Sequence, residues 1–175
     1  MRIKRITELN RLSVEEFKKT EKLSLTIVLD NVRSLNNIGS VFRTSDAFLI
    51  GSVFLCGITA TPPNVEIHKT ALGAEDSVNW VYYEDTRQAI EELKEQGYII
   101  CAIEQVQGSV ALDELSMEKG GKYAVVLGNE VKGVSQQVVD MCDYCIEIPQ
   151  LGTKHSLNVS VAAGIVIWEF FKQLS

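Results

Sequence analysis

Short, nearly unbroken apolar runs constrain the fold of this chain most. Leu25 to Leu29, Val53 to Cys56, Val78 to Tyr83, Tyr98 to Ile103, Tyr123 to Leu127 and Tyr144 to Ile148 each have the length of a strand. Strands with one wet face alternate polar and apolar residues; near-continuous apolar strands are buried on both faces, as in a parallel sheet sandwiched between helices. Helical patterns lie between the runs. Ile38 to Leu49 spaces Val41, Phe42, Ser45, Phe48 and Leu49 for one helix, which Gly51 is expected to stop. Thr86 to Gln96 is a charged helix closed by Gly97, Ser135 caps a short helix, and Asn158 to Gln173 is the last helix. Near the start, Ser13 caps a short polar helix. Thr61-Pro62-Pro63-Asn64 is a break. Strand alternating with helix predicts an α/β fold with a parallel sheet covered on both faces.

The length of 175 residues suits one domain. Apolar content of 46% and charged content of 23% exclude a disordered chain, and no apolar run reaches the roughly 18 residues of a membrane helix. Met1-Arg2-Ile3-Lys4-Arg5 is followed by no apolar stretch of signal-peptide type, so the expected compartment is the cytoplasm. Cys56 and Cys101 lie inside strand-like runs and read as buried thiols. Cys142 and Cys145 form a lone C-x-x-C; with His68 and His155 the only histidines, no metal site is expected. Net charge is −6, which argues against a strongly basic nucleic-acid binder. Residues 1–22, however, carry seven Lys/Arg against four Glu, so any RNA contact is expected to be local.

Ligands of open α/β sheets bind beyond the carboxyl ends of the strands. Three polar clusters sit at such ends. The first is Asn36-Asn37-Ile38-Gly39 followed by Arg43, which is expected to be half-buried on a helix opening near Asn37. The second is Leu127-Gly128-Asn129-Glu130-Val131-Lys132-Gly133-Val134-Ser135. Gly128 and Gly133 are five apart, but Val134 stands where a phosphate loop needs Lys, so phosphate-loop chemistry is rejected, and no dinucleotide fingerprint is present. The third runs from Ile148 through Pro149, Gln150, Gly152, Lys154 and Ser156 to Ser160, with Ser156 read as the cap of the last helix. The small residues Ser160, Ala162, Ala163 and Gly164 would admit another backbone, from within the chain or from a second copy.

Together these segments resemble the SpoU/TrmH-like family of the SPOUT class, S-adenosylmethionine-dependent RNA ribose 2′-O-methyltransferases. Asn37-x-Gly39-x-x-x-Arg43 is similar to the family's first segment, Gly128-Asn129-Glu130-x-x-Gly133 to its second, and Ile148-Pro149-x-x-Gly152-x-x-x-Ser156-Leu157-Asn158-Val159-Ser160 to its third. Order and spacing agree over residues ~25–173. The resemblance implies a parallel-sheet α/β-knot fold with a deep C-terminal trefoil knot, and a homodimer with composite active sites. It divides the chain into a basic helical extension, 1–24, and a methyltransferase domain, 25–175. Gly128, Ile148 and Leu157 then match positions that hold the methyl donor, S-adenosyl-L-methionine, through backbone groups, with Leu127, Gln150 and Gly152 lining its pocket. Gln150 departs from the family's methionine. Asn37, Arg43, Glu130, Ser156 and Asn158 match the catalytic and substrate-facing set.

The substrate implied is a ribose hydroxyl of tRNA or rRNA; alternatives are methylation of a base nitrogen, or a module that binds donor or RNA without turnover. Arg33, Arg43 and Lys154 are the candidate RNA contacts. The family's arginine is often assigned as the base, yet a guanidinium with a pKa above ~12 is a poor one. Arg43 is therefore expected to clamp an RNA phosphate and stabilise the developing alkoxide. Glu130 is expected to orient Arg43 or Asn37. His68 reads as a surface or packing residue. Many family members carry an added RNA-binding domain, so recognition here is expected to fall to the catalytic domain and the basic first helix.

Overall fold

The computed structural model describes residues 1–175, the side chain of Ile6 excepted. Seven strands form one sheet: β1 (Leu23–Asp30), β2 (Ile50–Cys56), β3 (Trp80–Tyr83), β4 (Ile99–Ile103), β5 (Val110–Ala111), β6 (Tyr123–Leu127) and β7 (Tyr144–Glu147). Their order is β3-β2-β1-β6-β4-β7-β5, and every pairing is parallel. The helices are α1 (Val14–Lys19), α2 (Leu35–Ala47), α3 (Val65–Ala71), α4 (Ala74–Ser77), α5 (Thr86–Glu95), α6 (Gln136–Val139) and α7 (Val159–Leu174).

The apolar runs of β1, β2, β4 and β6 are buried on both faces, as their lack of alternation requires, whereas β3 exposes Val81 and Tyr82 and β7 exposes Tyr144. All five residues of β6 are buried. Its odd residues Val125 and Leu127 join a core with α2 and α7 on one face; its even residues Ala124 and Val126 join a second core with α5 and α6 on the other. Helix α2 buries Ile38, Val41, Phe42 and Ser45, a stripe at helical spacing. Among the described residues no helix is long and apolar enough to cross a membrane.

Three local readings change. Helix α2 opens at Leu35, two residues before the expected Asn37, because the Ser34 hydroxyl accepts the Asn37 N–H at 3.3 Å and caps it. Gly51 does not stop that helix: the chain turns at Leu49, whose φ is 52°, and Gly51 lies inside β2. There a Cβ would come within 2.8 Å of the Leu23 carbonyl oxygen, so the glycine is required by strand approach. The stretch after the double proline, read only as a break, holds α3 and α4. Asn64 caps α3, its side chain accepting the Glu66 and Ile67 N–H groups.

Sheet order explains where a site forms. The chain builds outward from β1 to β3, then crosses back to place β4 two positions beyond β1 and later fills the gap with β6. Connections leave this region on opposite faces, which opens a crevice beyond the carboxyl ends of the strands. The first turns of α2, which follows β1, and the loop after β6 carry the first two polar clusters.

Candidate active site

A cavity of about 750 Å³ opens at the carboxyl ends of β6, β4 and β7. Its walls include Leu127, Gly128, Glu130, Ile148, Gln150, Ser156, Leu157 and Asn158. The second and third clusters, about twenty residues apart in sequence, are thus two walls of one space. The volume suits a nucleoside-sized ligand.

Gly128 shapes the floor. A Cβ there would lie 2.2 Å from the Gly133 carbonyl carbon and 2.3 Å from the Val134 nitrogen, both backbone atoms that cannot yield. The loop folds back on itself through paired Asn129 and Gly133 backbone bonds of 3.1 and 2.9 Å. Gly133 supplies the left-handed φ of 66° that the return needs. Asn129 stiffens it, its side-chain oxygen accepting the Val131 and Lys132 N–H groups while its amide donates to the Asn31 carbonyl at 2.8 Å.

Glu130 ties this loop to the first cluster. Its carboxylate accepts the Arg33 and Ser34 N–H groups, each at 2.9 Å, and the Asn37 amide at 3.1 Å. These are donors at the opening of α2, where a negative charge also meets the positive helix end. Partial burial pulls the carboxyl upward, but the donors of Arg33, Ser34 and Asn37 outweigh it and hold Glu130 below the ordinary glutamate value.

The network continues in one direction. Because the carboxylate only accepts, Asn37 must present its NH₂ to Glu130 and its oxygen to the far side. That oxygen accepts the Asn158 amide at 3.2 Å. Asn158 in turn accepts the Ser160 N–H at 2.9 Å and the Ser160 hydroxyl at 2.7 Å, capping α7. One carboxylate therefore fixes two amide orientations and links all three clusters. Asn158, not Ser156, is the cap: the helix starts at Val159, and Ser156 stays in the exposed loop, where it lines the cavity.

Other expected site residues lie elsewhere. Arg43 is exposed rather than half-buried, makes no hydrogen bond or ion pair among the described residues, and does not line the cavity. Six residues beyond Asn37, it lies about 9 Å further along α2. Gly152 and Lys154 are exposed in the loop and also off the cavity wall. Arg33 is exposed and joins the site through its backbone N–H. The end of β4 supplies a wall that no sequence signal marked: Ile103, Glu104, Gln105 and Val106, with the Gln105 amide donating to the His155 carbonyl at 3.2 Å. Cys142 and Cys145 are free thiols, and burial pushes Cys142 up to about 12, so it keeps its proton at neutral pH.

Known proteins are similar in sequence and share the fold. A Staphylococcus aureus (strain MSSA476) protein assigned to the TrmH family of tRNA/rRNA methyltransferases is 31% identical over 160 residues. The match covers 91% of this chain and 63% of that protein, so the chain spans under two thirds of the relative's length. The crystal structure of the A. aeolicus TrmH/SpoU tRNA modifying enzyme superposes with a TM-score of 0.80 at 29% identity, covering 91% of this chain and 79% of that one. An AdoMet-bound rRNA methyltransferase from Sinorhizobium meliloti also gives 0.80, at 25% identity, over 91% and 61% of the two chains. The model of the SpoU rRNA Methylase family matches residues 24–168, nearly the whole described fold and all three clusters. The chain belongs to that family.

Proposed function

We propose that this chain is an S-adenosyl-L-methionine-dependent RNA methyltransferase acting on a ribose 2′-hydroxyl of tRNA or rRNA. The observation that carries the reading is the Glu130–Asn37–Asn158 network at the rim of the cavity. It commits a carboxylate and two amides to one fixed geometry, which displacement chemistry rewards through positioning. A non-catalytic module has no need of it. The donor fits the residues present: Ile148, Gln150 and Leu157 wall the cavity together with Gly128, which admits the close return of the Gly133–Val134 backbone. When bound, the donor supplies a sulfonium methyl group for in-line transfer to oxygen. Ser156 and Asn158 bind the ribose or the donor's carboxylate, and Arg43 clamps an RNA phosphate and stabilises the oxygen as it loses its proton.

Arg43 stands off the cavity of its own chain, which favours a homodimer in which it serves the second copy. Helix α7 offers the seam. Its inner face buries Ala162, Ala163, Val166 and Ile167, while Val161, Ile165 and Trp168, 39–51% exposed, form an apolar stripe on the outer face. Gly164 lies beside that stripe with open space where a Cβ would be. The deep trefoil knot of the C-terminal part is proposed on the family resemblance. So is the division into an extension, 1–24, and a catalytic domain, 25–175, although Phe17 of α1 already belongs to the core. Helix α1 leads directly into the amino end of β1, and β1 is about 26 Å long, so α1 sits at the opposite end of the sheet from the cavity. An RNA touching both extends well past the reacting nucleotide.

The test is to supply the protein with a labelled methyl donor and unmodified tRNA and rRNA, then locate the methyl group. A ribose methyl makes its linkage resist alkaline hydrolysis. A labelled but alkali-sensitive linkage assigns the base-nitrogen alternative instead, and no label in any RNA, with donor bound, assigns a binding module.

A further inference from the structure

Glu104 is the cavity residue that neither the three clusters nor the network accounts for. Strand register puts it at the centre. The pairing ends in one row across three adjacent strands, Leu127 on β6, Ile103 on β4 and Ile146 on β7. The next residues along, Gly128, Glu104 and Glu147, open side by side into the cavity. Glu104 thus stands between the two strand ends proposed to hold the donor, anchored by its own N–H donating to the Ile146 carbonyl at 3.1 Å.

Its carboxylate is half-buried and only half used. One oxygen accepts the Gln105 N–H at 3.0 Å, and the other accepts the Val134 N–H at 2.9 Å. It also occupies the space above Gly133, where a Cβ would meet it at 2.2 Å. An ionised carboxylate has about four acceptor positions, so about two remain for a ligand of the cavity that Glu104 lines. Of the other carboxylates of the wall, Glu130 is taken up by Arg33, Ser34 and Asn37, and Glu147, at the far side of Glu104 from Gly128, accepts the Ser109 hydroxyl at 2.9 Å. What an adenosyl ligand brings to such a group is a vicinal diol, two O–H donors that a bare backbone N–H cannot satisfy. Dinucleotide-binding sheets meet the same need with an acidic residue at a strand end.

We propose that Glu104 is a specificity-determining residue that accepts the ribose diol of the donor, while its second oxygen holds the Gly133–Val134 turn in place. This rests on the donor-binding reading above. The experiment is calorimetric titration of S-adenosylhomocysteine and its 2′,3′-dideoxy analogue into the full chain, its E104A variant and its E104Q variant. The unsubstituted protein is expected to prefer the diol by about 10- to 100-fold, the range for hydrogen bonds to a charged group. In E104A the preference collapses to within about 3-fold, because the half-buried acceptor is gone. E104Q keeps an acceptor for the Val134 N–H and lands between the two. A role confined to supporting the turn weakens both ligands equally and leaves the ratio intact, and that result overturns the assignment. Failure of the unsubstituted protein to bind S-adenosylhomocysteine at all sinks the donor reading itself and takes the assignment with it.

Discussion

A single carboxylate, Glu130, fixes the geometry of residues almost a hundred positions away. It gathers two backbone N–H groups and one amide at the opening of α2, and its ionised form is the one they bind. The folded-state value is depressed, so its contribution is complete above the unfolded glutamate value near 4.3 and is lost as pH falls through the lower folded value. Glu130→Gln is therefore expected to melt lower than the unsubstituted chain at pH 6. The site is partly solvated, so the loss is about 1 kcal/mol, or roughly 2–4 °C for a chain of this size. Melting curves from pH 6 to pH 3 check the sign: the gap closes on acidification, and a gap that widens would overturn the assignment. Arg43 makes the opposite case, a charge with no partner among the described residues. Arg43→Lys keeps the charge but loses the planar fork, so kcat is expected to fall about 100- to 1000-fold with donor affinity unchanged. Near-normal turnover would refute the clamp. The motif residues were legible in the sequence because each is a special residue at fixed spacing. Arg43's exposure and the passing of the cap from Ser156 to Asn158 were not, because they depend on where a helix begins to within two residues.

At the scale of elements, the strongest sequence signal was burial on both faces, and every strand it marked is present. The elements it missed share a physical reason. Helix α3 has seven residues, α4 four and β5 two, too few to establish a period. Helix α3 is fixed instead by contact with α2, through Gly39. A Cβ on Gly39 would sit 2.1 Å from the Thr70 hydroxyl and 2.3 Å from the Ile67 carbonyl oxygen. The Thr70 hydroxyl donates to the Asn36 carbonyl at 3.0 Å, one residue from Asn37 of the network. Two effects oppose each other in Gly39→Ala. Alanine in a helix interior gains about 1 kcal/mol over glycine. Overpacking against backbone costs about 1–3 kcal/mol and pushes α3 away. The carbonyl oxygen belongs to the α3 backbone and cannot rotate aside, so overpacking wins. The variant is expected to melt several degrees lower and to lose methyl transfer as α2 shifts. A variant that melts higher would show that α3 yields freely.

The whole molecule has its unused chemistry on the outside: Arg43 without a partner, and an apolar stripe of Val161, Ile165 and Trp168 on α7. Trp168 adds to a cluster with Phe48 and Phe171, at ring-centroid distances of 5.6 and 5.8 Å, so the stripe continues onto the end of α2, the helix that carries Arg43. A two-fold axis through this face would bury the stripe against itself and carry each Arg43 toward the other copy. Two variants separate a shared site from a merely paired one. Arg43→Lys disables the arginine and leaves the cavity whole. Gly128→Ala drives a methyl into the Gly133–Val134 backbone, displaces the loop that walls the cavity and leaves the arginine whole. Each is inactive as a homodimer. In a mixed dimer, the cavity of the Arg43→Lys chain faces the intact arginine of the Gly128→Ala chain, and one site of two is complete. Random exchange at equal concentrations then restores roughly a quarter of the unsubstituted activity. If each chain used its own arginine, every site in the mixture would carry one defect, and the activity of the mixture would stay at the level of its parts. Ile165→Glu in both chains places a charge in the seam and abolishes the restoration, with a shift to monomer in light scattering. A mixture of dimers that never regains activity argues that Arg43 works within its own chain.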